Sequence, residues 1–260
     1  MDFVMYILAG AAVGFAVGVT GVGGGSLMTP LLLLFGFPPH VAVGTDLLYA
    51  AITKAGGVFI HRRQGTIRWN VVYTLFAGSL PASLITIYVL HTYFPDSESY
   101  GHVLTSMLGV MLILTSGVLL MRRRIMAAQQ DGGSGFLAHV QTHSIIYTWL
   151  MGLALGVMVT LSSVGAGAFG AAVLLLLYPR MPSIQVVGTD LAHAVPLTLV
   201  AGTGHLLLGN VDFLLLGALL AGSLPAIYLG TKVATRLPDK LLQPLLASML
   251  LALGVKYAFF

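Results

Sequence analysis

Five stretches of this 260-residue chain, at positions 71–90, 103–121, 145–161, 213–229 and 241–255, contain no charged residue. Each approaches the ~20 residues that a helix needs to cross a hydrocarbon core. A chain in lipid must satisfy its backbone N–H and C=O groups internally, which leaves helices or a closed barrel. Barrel strands would read as short alternating segments, whereas the runs here are continuous. The expected fold is therefore an all-α polytopic membrane protein. Composition agrees, with 57% hydrophobic and 8% charged residues against about 25% charged in soluble domains. The net charge of +4 does not indicate nucleic acid, because the basic residues cluster in short connections between apolar runs. That is the pattern that orients membrane proteins. The chain has no cysteine, which removes disulfides, thiolate metal sites and cysteine nucleophiles. The first apolar run begins at Phe3 without a basic leader and reads as a retained span.

The pentapeptide Val-Gly-Thr-Asp-Leu occurs at Val43 to Leu47 and again at Val187 to Leu191, 144 residues later. The same offset maps Gly78-Ser79-Leu80-Pro81-Ala82 onto Gly222-Ser223-Leu224-Pro225-Ala226, Pro38 onto Pro182, and His61 onto His205. One register kept over this distance marks a duplicated unit. The first repeat is taken as 1–121, the second as 145–260, with a polar cytoplasmic linker over 122–144 that carries Arg122-Arg123-Arg124 and a Gly/Ser stretch. Full-length spans are expected at 3–20, 41–61, 69–90 and 102–121, then at 145–163, 184–208, 211–231 and 240–259. Two shorter apolar segments, 25–36 and 169–179, suit half-helices or re-entrant elements. If both short elements count as passes, each half has an odd number and the second half is upside down. Ten of the twelve basic residues then fall on one side, as membrane orientation demands. The expectation is an inverted-topology duplication with about eight full transmembrane helices, two short helices and both termini outside. Inverted repeats with interrupted spans are typical of secondary transporters.

Two kinds of element could carry chemistry. Gly21-Val22-Gly23-Gly24-Gly25-Ser26 lets the first span break, and its second copy reads Ser162-Ser163-Val164-Gly165-Ala166-Gly167. Exposed N–H groups opening a short helix would receive an anion, although transmembrane glycines also serve close packing. Asp46 and Asp190 lie in apolar sequence eight residues after Pro38 and Pro182, at the expected starts of helices. They could cap those helices, yet a carboxylate in a membrane costs ~2.5 kcal/mol or more, which favours a proton relay, a cation site or a hydrogen-bonding role in the pathway, and one residue could do both. Lys54 lies eight residues beyond Asp46, on about the same helical face, and could pair with it or attract an anion. His193, one turn from Asp190, joins Asp46, Asp190 and Lys54 in the proton-coupling set. His61 and His205 read as interfacial, and Pro81 and Pro225 as kinks. No protease, nucleotide-binding or metal-site motif is present in the sequence, so an enzyme is not expected, nor any metal or cofactor.

The segments GVGGGSLMTPLLLLFGFPPHVAVGTDL and, in the second half, VGTDL and GSLPA resemble the TauE/SafE family, whose members are described as sulfite exporters or membrane transporters. The resemblance covers nearly the whole chain and implies a multi-pass carrier of the bacterial inner membrane for sulfite or small organosulfonates. It assigns substrate binding to Gly23, Gly24, Gly25, Gly44, Thr45, Gly165, Gly167, Gly188 and Thr189, to which the hydroxyls of Ser26, Ser162 and Ser163 are added. The chain departs from the family pattern where Leu174 replaces a proline equivalent to Pro30, and at Asp46 and Asp190, where small residues are common. The partners implied are the lipid bilayer, a small anion and protons, with room for a homo-oligomer. A passive anion channel and a scaffold or receptor with structural aspartates are the alternatives.

Overall fold

A computed structural model describes residues 3–20, 27–94, 96, 99–128, 141–234 and 239–259. They form ten helices: α1 (Phe3–Thr20), α2 (Met28–Leu34), α3 (Pro39–Arg63), α4 (Trp69–Tyr93), α5 (Gly101–Ala128), α6 (Ser144–Ser162), α7 (Ala168–Leu177), α8 (Ser183–Leu207), α9 (Phe213–Ala234) and α10 (Asp239–Phe259). No strand occurs among the described residues. Six helices, α3 to α6, α8 and α9, are long and apolar enough to cross a membrane. Large side chains such as Ile85, Tyr88, Ile145, Leu214 and Tyr228 point outward from them. Such a surface suits lipid, and the architecture is that of a polytopic membrane protein.

The duplicated sequence makes duplicated local structure. Pro38 and Pro182 precede α3 and α8 with nearly identical dihedrals, φ −57° and ψ 143° against φ −56° and ψ 143°. Proline disfavours helix in the residue before it and lacks an N–H of its own, so both helices begin just after it. At the other ends, Gly65 and Gly209 adopt φ of +65° and +77°. The N–H of Thr66 reaches back to His61 O at 3.1 Å, and that of Asn210 to His205 O at 2.9 Å. These are matched glycine-terminated helix ends. The early starts also move the aspartates. Asp46 and Asp190 lie seven residues inside α3 and α8, counting from Pro39 and Ser183, so neither caps its own helix as the sequence suggests.

The four most extensive helix interfaces join α1 to α9, α4 to α6, α5 to α10 and α3 to α8. All four connect the halves, and the offset of 144 maps the set onto itself. Gly44 packs against His205, and Gly188 against His61, two contacts that exchange under the same offset. Leu48 meets Gly202 while Gly57 meets Leu191, so α3 and α8 run antiparallel. Gly109 contacts Ala258 and Ser116 donates to Ala247 O at 2.7 Å, so α5 and α10 are antiparallel too. By contrast α1 runs parallel to α9, with Gly10 against Leu219 and Gly18 against Ile227. Gly44–His205 and Gly188–His61 each sum to 249, which puts the crossing of α3 and α8 beside Ile52 and Thr53. Lys54 lies next to that centre.

Candidate functional site

The middle of α3 and α8 is where buried polar groups collect. Asp46, Lys54, Asp190 and His193 are all buried. Because the two helices are antiparallel, the carboxylates sit toward opposite ends rather than side by side. Asp46 is eight residues from Lys54, about 12 Å of helix rise. In the geometry described, Lys54 Nζ donates to the carbonyl of Ala166 at 3.1 Å. That carbonyl belongs to the loop between α6 and α7, where Ser163 has φ +58°, Gly165 +131° and Gly167 +141°. The positive φ at the last two positions explains their glycines.

The two carboxylates are held differently. Asp46 Oδ2 accepts from the Thr29 hydroxyl at 2.5 Å and from the Thr29 N–H at 3.2 Å. Asp46 thus serves the first turn of α2, across seventeen residues of sequence. Its Oδ1 has no hydrogen-bond partner, and neither has Ser163 Oγ, which lies beside it. Asp190 Oδ1 is likewise without a donor and presses against Gly170 in the first turn of α7, where a Cβ would overlap it. The His193 ring places Nε2 2.9 Å from Ser79 Oγ on α4, while its Nδ1 is unpartnered. Under the repeat offset His193 corresponds to Tyr49 and Ser79 to Ser223. Those two side chains face one another without closing a hydrogen bond. Buried polar atoms are normally satisfied, so these unsatisfied atoms, on α3, α8, α9 and the α6–α7 loop, set this part of the molecule apart.

Other residues singled out in the sequence take packing positions. Thr45 Oγ1 accepts from the Asp212 N–H at 3.2 Å, and Thr189 Oγ1 from the Arg68 N–H at 3.0 Å. These equivalent bonds tie each repeat to the first turn of a helix in the other. Gly44 and Gly188 have no room for a side chain, since a Cβ would strike Asn210 O or the His61 ring. Ser162 Oγ is spent locally, donating to Met158 O of its own helix at 2.6 Å and accepting from the Val164 N–H at 3.2 Å. His205 donates from Nε2 to Thr160 O at 2.9 Å and accepts at Nδ1 from Asn210 Nδ2 at 3.2 Å. Both its nitrogens are satisfied in one neutral tautomer, a structural role. Gly23, Gly24, Gly25 and Ser26 lie outside the described residues. Thr29, Ser79, Tyr49 and Ser223 were not singled out as site residues, although the offset aligning His193 with Tyr49 links all but Thr29. Among the described residues no group of His, Asp or Glu is arranged to hold a metal ion.

Residues 6–257 match the family described as Sulfite exporter TauE/SafE. The probable membrane transporter protein YjnA of Bacillus subtilis is 36% identical over 253 residues, covering 97% of this chain and 98% of the relative. The probable membrane transporter protein YdhB of the same organism is 29% identical, covering 95% and 99%. An archaeal relative, the probable membrane transporter protein MJ0441 of Methanocaldococcus jannaschii, is 25% identical over 96% and 93%. No solved structure matches the chain.

Proposed function

The chain belongs to the Sulfite exporter TauE/SafE family of membrane transporters, and on that premise we propose that it is a secondary transporter of a small anion. Its two halves are read as inverted repeats, with α1 and α10 completing eight full spans and α2 and α7 as the short elements. The antiparallel pairing of α3 with α8 and of α5 with α10 supports the inversion, as does the collection of arginines at one end. Pseudo-symmetric halves can exchange conformations and open a shared centre to either side in turn.

One observation carries the anion reading: Lys54 is a buried cation at the crossing of α3 and α8, flanked by two carboxylates and ringed by unsatisfied polar atoms. Buried charges persist only when opposed. With Lys54 charged and both aspartates ionised, the centre carries one surplus negative charge. One bound proton neutralises it, and Asp190, which accepts from no donor at Oδ1, is the carrier we assign. Asp46 stays the accepting partner of Thr29 while the site is empty. When an anion enters beside Lys54, a second proton on Asp46 restores neutrality. Each anion then travels with one proton, and Lys54 is freed from Ala166 O to meet it. The loops containing Gly165 and Gly167, and Gly23 to Ser26, supply N–H and O–H donors to the anion's oxygens. The family's description favours sulfite or a small organosulfonate, carried across a bacterial inner membrane.

Flux into proteoliposomes tests this directly. Sulfite or sulfoacetate should move, faster with a pH gradient than without, and Lys54→Met should reduce flux by at least tenfold. Asp46→Asn should abolish the acceleration by the gradient, whereas Asp190→Asn, which fixes that position in its neutral form, should leave it. Flux that ignores the gradient in the unaltered protein would make the molecule a passive channel, and unchanged flux in Lys54→Met would remove the central site.

A further inference from the structure

Two adjoining cavities lie between α4 and α6 at the end of the molecule where the arginines collect. The outer one, about 820 Å³, is lined by Arg68, Asn70, Gln141 and Arg180 over a floor that includes Trp69 and Leu177, and no carboxylate lines it. The inner one, about 460 Å³, is almost wholly apolar and runs down the outside of the bundle between Tyr73, Ala77, Ile145, Ile146 and Trp149. They meet where Trp69 of the first packs on Tyr73 of the second, ring centroids 6.0 Å apart. Ser144 of the outer cavity is likewise followed directly by Ile145 of the inner one. The surface is therefore cationic at the rim and greasy beneath, in a helix groove that opens toward the bilayer.

Arg68 is held in place for this role. Its N–H donates to Thr189, and its Nε donates to Gln185 Oε1 at 2.8 Å, which aims the rest of the guanidinium. The equivalent positions at the opposite end carry no arginine. The repeat offset places Asp212 where Arg68 stands and Gly36 where Arg180 stands, and Asp212 is occupied in capping α9, accepting from the Leu215 N–H at 3.0 Å.

We propose that these cavities together bind one anionic phospholipid from the leaflet at the arginine-rich end, its phosphate between Arg68 and Arg180 and an acyl chain along the α4–α6 groove. Basic pockets between transmembrane helices suit such headgroups, and a guanidinium pair matches phosphate geometry better than lysine would. A free oxyanion would use the rim alone and has no need of the apolar groove below it. The proposal rests on the membrane reading of the fold and is independent of which anion is transported.

Native mass spectrometry of the purified full chain in micelles with equal phosphatidylglycerol and phosphatidylcholine tests it. One phosphatidylglycerol should be retained in preference. Arg68→Gln with Arg180→Gln should lower its occupancy by about tenfold or more. Ala77→Trp, which fills the exposed groove, should also lower it while leaving inorganic phosphate binding untouched. The paired lysine variant, Arg68→Lys with Arg180→Lys, should keep most of the lipid and shows that the fold survives change at these positions. Equal retention of both lipids overturns the proposal, as does phosphatidylglycerol held fully by the glutamine pair. Displacement by inorganic phosphate with no effect of Ala77→Trp would instead identify a free-oxyanion site and also overturn it.

Discussion

Asp190 depends on the absence of a side chain at Gly170. A Cβ there would overlap Oδ1 of the carboxylate, so Gly170→Ala must displace the aspartate or open α7 from α8. Overpacking of this kind costs about 1–3 kcal/mol, and the proton-carrying group would leave its place. We expect Gly170→Ala to lower both thermal stability in detergent and proton-linked flux. Adding Asp190→Ala should restore stability without restoring flux, whereas adding the isosteric Asp190→Asn should restore neither. A Gly170→Ala protein with normal flux and stability would mean that the carboxylate faces elsewhere. At this scale the sequence was partly legible. Lys54, the two aspartates and His193 stand out because charge and imidazole are scarce in apolar runs. Thr29 does not stand out, since its bond to Asp46 depends on α2 folding back along α3. Thr45 and Thr189 looked like donors to a ligand. Their acceptor bonds to Asp212 and Arg68 span 167 and 121 residues, distances that no local pattern reports.

Helices recognise one another through glycine. On α1, Gly10, Gly14 and Gly18 recur every four residues and face the backbone of α9 at Leu219, Ser223 and Ile227, while Gly222 and Gly230 of α9 face α1 in return. The equivalent pair, α4 and α6, uses Gly78, Gly152 and Gly156. Close backbone approach replaces the hydrophobic drive that lipid does not supply between helices. Gly14→Leu should therefore separate α1 from α9, because even its Cβ would lie 2.6 Å from Ser223 Cα. Loss of several degrees in the thermal midpoint is expected, alongside no loss for Gly217→Leu, whose surroundings on α9 are open. Equal behaviour of the two variants would deny the glycine seam. The four-residue spacing was visible in the sequence. Its partner was not, because α9 lies some two hundred residues away and parallel pairing has no local signature. The helix limits were more readable: prolines 38 and 182 and glycines 65 and 209 punctuate α3 and α8 by known backbone preferences.

At the scale of the whole molecule, the question is whether pseudo-symmetry within the protein is also inversion across the membrane. Antiparallel α3 and α8 are repeat equivalents, so any axis exchanging them lies across the helices rather than along them. If those helices span the bilayer, Gln64 and Leu207, which lie at the C-terminal ends of α3 and α8 and are both exposed, emerge on opposite faces. The absence of cysteine makes this measurable without prior engineering. Gln64→Cys should react with a membrane-impermeant maleimide only from the face that carries Arg62, Arg63 and Arg68, which orientation by basic residues assigns to the cytoplasm. Leu207→Cys should react only from the other face. Labelling of both from one side would refute the inversion and, with it, alternating access by exchange of halves, while leaving the packed centre around Lys54 as found. Opposite labelling has a further consequence for the centre. Asp46 would then lie nearer the outer face and Asp190 nearer the cytoplasm, with Lys54 between them. Each opening of the protein would expose one carboxylate at a time, which is the arrangement a proton-linked carrier needs to keep its two faces from being connected at once.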